Sequence, residues 1–222
     1  MNYQKLKDAE AGFLQRYPGG FADPAMESIK KKHNVDKLVE FTQHSLTREN
    51  FNRPEFIAET LVRIVSRSSM VSMFEKPKFR DFVRSLNSHE KQALADSFEK
   101  RLYGRQKQRG FEEILGFLSH HRIARWSVIS AVPFYFAPRK EAFVKPTTAK
   151  GILAYLEVTG LEYKPTPSWA FYKGYQRLLA DIKKQVAPSL SPNNAALTGF
   201  MMSSTGAIPR KKSAARRMEY AP

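Results

Sequence analysis

The residues whose types and spacing could do chemistry lie between Ala142 and Val186. Lys145-Pro146-Thr147-Thr148 leads into a helix that carries Lys150, and Lys164-Pro165-Thr166-Pro167-Ser168 leads into a second that carries Lys173. Threonine and serine at such positions cap helix starts. A helix start also offers free backbone amides and the positive end of the helix dipole to an anion. With Lys145 and Lys150 beside Thr147 and Thr148, the first start has the makings of a phosphate site, and Lys164, Ser168 and Lys173 make a weaker version at the second. Read without a ligand, Pro-Thr-Thr before an apolar run is an ordinary start signal.

Charge supports the anion reading. The chain carries a net charge of +16, and residues 1–60 hold nine Lys/Arg against nine Asp/Glu, so the whole excess follows residue 60. Between Lys100 and Lys150 there are eleven cations and three acids. A field of that sign speeds encounter with polyanions. The expected partner is therefore nucleic acid, DNA or RNA, contacted through Arg101, Arg105, Lys107, Arg109, Arg122 and Arg125 and through the helix-start residues Lys145, Thr147, Thr148, Lys150, Lys164 and Lys173. The alternatives are a protein-interaction or scaffold domain with an acidic protein partner, and a solvated basic face that only keeps the chain soluble.

Aromatic residues are interleaved with these cations, among them Tyr155, Tyr163, Trp169, Tyr172 and Tyr175. Exposed rings beside cations stack on unpaired bases. Helical spacing assigns Phe171 and Tyr175 to a buried stripe and leaves Tyr163 and Tyr172 as the surface members. Arg67-Ser68-Ser69-Met70 is either a further phosphate contact or a turn packed by Met70 and Met73.

Enzymatic readings find little support. The absence of cysteine excludes thiol catalysis, disulfides and thiolate metal sites. Adjacent His120 and His121 point about 100° apart on a helix and lack the i, i+4 spacing of a zinc helix. Glu162-Tyr163-Lys164 with Glu141 upstream has the shape of a metal-dependent nuclease motif, but no strands are expected around it. No catalytic residue, metal or cofactor is expected. No apolar run approaches the roughly 20 residues of a membrane span, and the N-terminus lacks a signal-peptide core. No membrane partner and a cytoplasmic location are expected.

The elements that must position these residues read as helices throughout. Apolar spacing places helices over Tyr3–Tyr17, Pro54–Ser66, Thr147–Val158 and Trp169–Val186, with shorter ones between them, and Phe171, Tyr175, Leu178, Ile182 and Val186 form the clearest stripe. Asp23, Asn34 and Ser88 are expected as N-caps, Gly104 as a left-handed helix end, and Gly160 as the end of the helix that starts at Thr147. Ile123–Phe136 is rich in strand formers, but Pro133 forbids a central strand, so a buried helix is expected. The fold class is all-α: an irregular multi-helix bundle, with a solenoid-like arrangement also compatible. A single helical domain over residues 1–202 is followed by a basic tail, 203–222, that is expected to be disordered.

Three runs carry a resemblance. Arg67 to Phe82, Phe143 to Lys150 and Asn194 to Met202 are similar to a family of bacterial hypothetical proteins with no established activity, from Tyr3 to about Met202. The resemblance implies a bacterial, cytoplasmic, single-domain protein and transfers no catalytic residue.

Overall fold

A computed structural model describes residues 1–204 of the chain. Eleven α-helices and no strand occur among them: α1 Tyr3–Arg16, α2 Glu27–His33, α3 Val35–Ser45, α4 Pro54–Arg67, α5 Glu75–Ser85, α6 Ser88–Tyr103, α7 Lys107–His120, α8 Trp126–Phe136, α9 Pro146–Tyr155, α10 Trp169–Gln185 and α11 Asn194–Ser204. Short 3-10 turns at Gly20–Ala22, Pro24–Met26, Arg48–Asn52 and Pro188–Leu190 join some of them. Ser203 and Ser204 are the end of α11 rather than the start of the tail, and the rest of the tail lies outside the described residues.

The all-α expectation holds, and the bundle form can be traced to α8. Every residue from Trp126 to Tyr135 is buried, as a helix that is apolar on all sides must be. Around it pack α3, α4, α6 and α7. Strand formers were tolerated because side-chain burial, not β propensity, decides the element here. Pro133 takes a hydrogen bond from the helix. The Ser130 hydroxyl donates to the Trp126 carbonyl at 2.6 Å and accepts the Val144 amide at 2.9 Å, strapping the extended segment 142–145 across α8. Contacts between α1 and α11 and between α3 and α8 join elements far apart in sequence, which a solenoid does not do.

Several helix ends differ from expectation. Asn87 rather than Ser88 caps α6, in a reciprocal capping box with Glu90 that satisfies two amides at once. Asn34 sits in the left-handed region and joins α2 to α3 without a side-chain cap. Gly104 is extended, not left-handed. The helix that starts at Pro146 ends at Tyr155, and Glu157 takes the positive φ there, five residues after Ile152 and three before Gly160. Asp23 and Ser168 do cap as expected, accepting the amides of Ala25 and Phe171.

The α6–α7 hairpin depends on one close approach. A Cβ at Gly110 would lie 2.6 Å from the Arg101 amide nitrogen and 2.9 Å from the Ser97 carbonyl oxygen, so the two backbones touch where α7 crosses α6. Because backbone atoms cannot move aside as a side chain can, Gly110→Ala is expected to lower stability by about 1–3 kcal/mol, the usual cost of overpacking. Denaturant titration of the variant, with unchanged helical circular dichroism at the start, checks this.

Candidate nucleic-acid interface

The twelve residues expected to meet phosphate fall into separate places. Arg101 is not at the surface at all. It is 1% exposed, and its guanidinium makes two hydrogen bonds to Glu141, at 3.1 and 2.7 Å. The Glu141 carboxylate also accepts from the Tyr172 hydroxyl at 2.8 Å and the Gln176 amide at 2.7 Å, and the Arg101 guanidinium lies over the rings of Trp169 and Tyr172. Burial alone would push the Glu141 carboxyl up. The hydrogen bonds and charge of Arg101, the Tyr172 hydroxyl and the charge of Lys107 outweigh it and hold the group below the ordinary carboxylate range. Arg101 is thus removed from the set of phosphate contacts. Tyr172, expected at the surface, is fully buried, and Glu141 is committed to Arg101 rather than paired with exposed Glu162 as a nuclease motif would need.

The remaining cations of the Arg101–Arg125 stretch are exposed but split. Arg105, Lys107 and Arg109 stand at the start of α7 and Arg122 and Arg125 beyond its end, about 20 Å apart along a 14-residue helix. Arg109 is partly neutralised, since it pairs with Glu113 at 2.9 Å while Lys100 holds the same carboxylate at 2.6 Å. Those hydrogen bonds, that of Lys100 first, keep the Glu113 carboxyl below its ordinary range. Lys173 lies over the Trp169 ring at 5.7 Å, on the α10 side of the buried Arg101–Glu141 pair.

The start of α9 is the most open of the expected sites. Lys145, not a threonine, is its N-cap, and no side chain caps the first turn. Thr148 is buried, its hydroxyl donating to the Met202 thioether at 2.7 Å, so it faces α11 and leaves the expected phosphate set. Thr147 is exposed. Lys145 lies near the end of α2: burial first, then the charges of Lys32 and Lys145, lower the pKa of His33, whose ring contacts Ser69 at 2.9 Å. The end of α2 therefore lies within electrostatic reach of Lys145, which opens α9. Lys150, five residues past Lys145, is turned about 140° around the helix and stacks on the Tyr163 ring at 5.3 Å. The two lysines flank the helix rather than converge.

Lys150 continues into a second group. Tyr163 is half-buried against Trp126, 6.4 Å between rings, and the Trp126 indole donates to the Lys164 carbonyl at 2.7 Å. This places the exposed side chain of Lys164 next to the start of α8, where Arg125 is the N-cap. Met73 does not pack the preceding turn as expected; it is 74% exposed and Phe74 76%, while Ser68 closes the turn by bonding the Met70 and Val71 amides and the Tyr135 hydroxyl.

Among the described residues no group of three or more His, Asp or Glu side chains is placed to hold a metal ion, and no helix is long and apolar enough to cross a membrane. No protein-family model matches the chain, and neither a curated protein nor a solved structure matches it.

Removing one member of a buried ion pair leaves the other charge stranded, which costs about 3–5 kcal/mol. Glu141→Gln is expected to lose that much at neutral pH. Because the folded-state pKa of Glu141 is lowered, its contribution is complete above the ordinary value of 4.5 and disappears as pH falls through the folded value. Denaturation curves for parent and variant should therefore converge in acid.

Proposed function

We propose that the protein binds nucleic acid through phosphate contacts at the start of α9 and along the neighbouring cations, Lys145, Thr147, Lys150, Lys164 and Arg125. The observation that carries this reading is the uncapped first turn of α9. No side chain caps that turn, Lys145 opens it and Thr147 is exposed on it, and neither Lys32 nor Lys145, whose charges both act on His33, forms an ion pair among the described residues. An anion at such a turn meets both the backbone amides and the lysine charges. Five cations of the tail, Arg210, Lys211, Lys212, Arg216 and Arg217, stand against Glu219 alone, so 12 of the 16 net charges belong to residues 1–204 and the folded part keeps a strong positive field. Action in the cytoplasm is part of the same proposal. An acidic protein partner would use the same cations and is separated by the experiment below.

Fluorescence anisotropy of labelled oligonucleotides over a salt series tests the proposal. The full chain and a version with its five tail cations replaced by Gln are compared. Lys145→Ala with Lys150→Ala is expected to weaken binding in both backgrounds and to lower the salt slope by about 2, one for each lost phosphate contact. Binding that disappears with the tail charges and ignores Lys145 and Lys150 would move the contact off the folded chain and overturn the proposal.

A further inference from the structure

Phe74 and Met73 stand out at the surface. Of the four exposed large apolar side chains among the described residues, only these two are adjacent, and both are about three-quarters exposed. Isolated exposed apolar residues are ordinary, whereas a pair at the head of a helix presents a ring and a thioether together to solvent. Their surroundings are cationic. Phe74 is the N-cap of α5, and Lys78, one turn on, lies on the same side of the helix. Lys78 lines an open groove of about 390 Å³ between α5 and the end of α7, together with Phe82, His121, Arg122 and Ile123. Glu75, next to Phe74, turns inward and accepts the Ser127 hydroxyl and the Ser72 amide, which joins the start of α5 to the start of α8, whose N-cap is Arg125. None of Lys76, Lys78, Arg122 and Arg125 forms an ion pair among the described residues. One carboxylate, Asp81, also lines the groove, and it is paired with Arg80 at 2.9 Å.

We infer that Phe74, Lys78 and Arg122 form a subsite for one unpaired nucleotide, the base stacking on Phe74 and Met73 and the phosphate held by Lys78 and Arg122, so that the preferred partner is a single strand. The inference rests on the nucleic-acid reading above and specifies its substrate class. A duplex buries its base faces against one another and offers only its backbone to an exposed ring, whereas a single strand offers a base face and a phosphate within one nucleotide. The i, i+4 placement of ring and ammonium matches that pairing. Two side chains provide far less than the roughly 800 Å² per partner of a stable protein interface, which disfavours a second copy as the occupant. The cations favour an anionic partner over a neutral apolar peptide.

The test uses the full chain with a labelled oligothymidylate and a duplex of the same length. Phe74→Ala, a change at an exposed side chain, is expected to weaken single-strand binding by about 5- to 100-fold, the range for one stacked base, and to leave duplex binding within about twofold. Phe74→Tyr should retain the single-strand affinity, and Phe74→Trp should show emission quenched by the bound oligonucleotide beyond any change of the parent. Equal losses on both substrates, or no loss on the single strand, overturn the inference while leaving the α9 contacts to be judged by the lysine variants. If Phe74→Ala instead abolishes sedimentation with phosphatidylserine vesicles and spares the oligonucleotide, the apolar pair is a membrane contact and the inference falls. If the parent binds no oligonucleotide, the functional reading and the inference fail together.

Discussion

A single buried ion pair ties together the half of the molecule that surrounds the candidate interface. Two charges taken out of water are costly unless hydrogen bonds compensate them, and Glu141 is compensated by three residues from two elements: Arg101 from α6, and Tyr172 and Gln176 from α10. The backbone of the same corner is tied to α11, since Asn194 donates its side-chain amide to the Glu141 carbonyl and its main-chain amide to the Pro138 carbonyl. The extended segment that follows, fixed across α8 by Ser130, ends at Lys145. The position of the α9 start is thus set by a charge pair some residues upstream, and the exposed lysine inherits its placement from a buried glutamate.

The surface divides the chain's cations by role. Arg101 is structural. Lys100 and Arg109 share Glu113, and the Lys100 pair links α6 to α7 from outside, a contact that solvent and salt weaken. Lys145, Lys150, Lys164, Arg125, Lys78 and Arg122 form no ion pair among the described residues. A net charge counts all of these alike, but a cation already held by a carboxylate has less to gain from exchanging a counterion for a phosphate.

Much of the fold was legible in the sequence because burial leaves a periodic trace. Phe171, Tyr175, Leu178 and Ile182 mark α10 with spacings that only a helix explains, and all four are buried. The site was less legible. Arg101 follows Leu94 and Phe98 at spacings of 4 and 3, on the inner stripe of α6, so its burial had a signal, but one that charge alone contradicts and that needed Glu141, forty residues on, to make sense. Tyr172 likewise lies on a second inward stripe with Tyr175 and Leu179. Caps were misplaced by a residue where several polar candidates were adjacent, as at Asn87 and Ser88, since which one reaches the free amide depends on the entry angle of the chain. Phe74 carried no signal, because an aromatic outside a periodic stripe looks the same whether it is buried in a turn or presented to solvent.

The joining of α1 to the far end of the chain has a consequence for synthesis. Asn2 donates its amide to the Leu156 carbonyl and its side chain to Glu157, which also pairs with Lys5, and α1 packs on α11. The apolar face of α1, with Leu6, Ala9 and Phe13, is therefore only partly covered, by Tyr17 and Phe21 against Phe13, until residues near 200 have left the ribosome. At 5–20 residues per second that interval is roughly 10–40 s, during which an amphipathic helix is presented to whatever holds nascent chains, and the high sequence separation of its contacts makes closure of the fold a late and slow step.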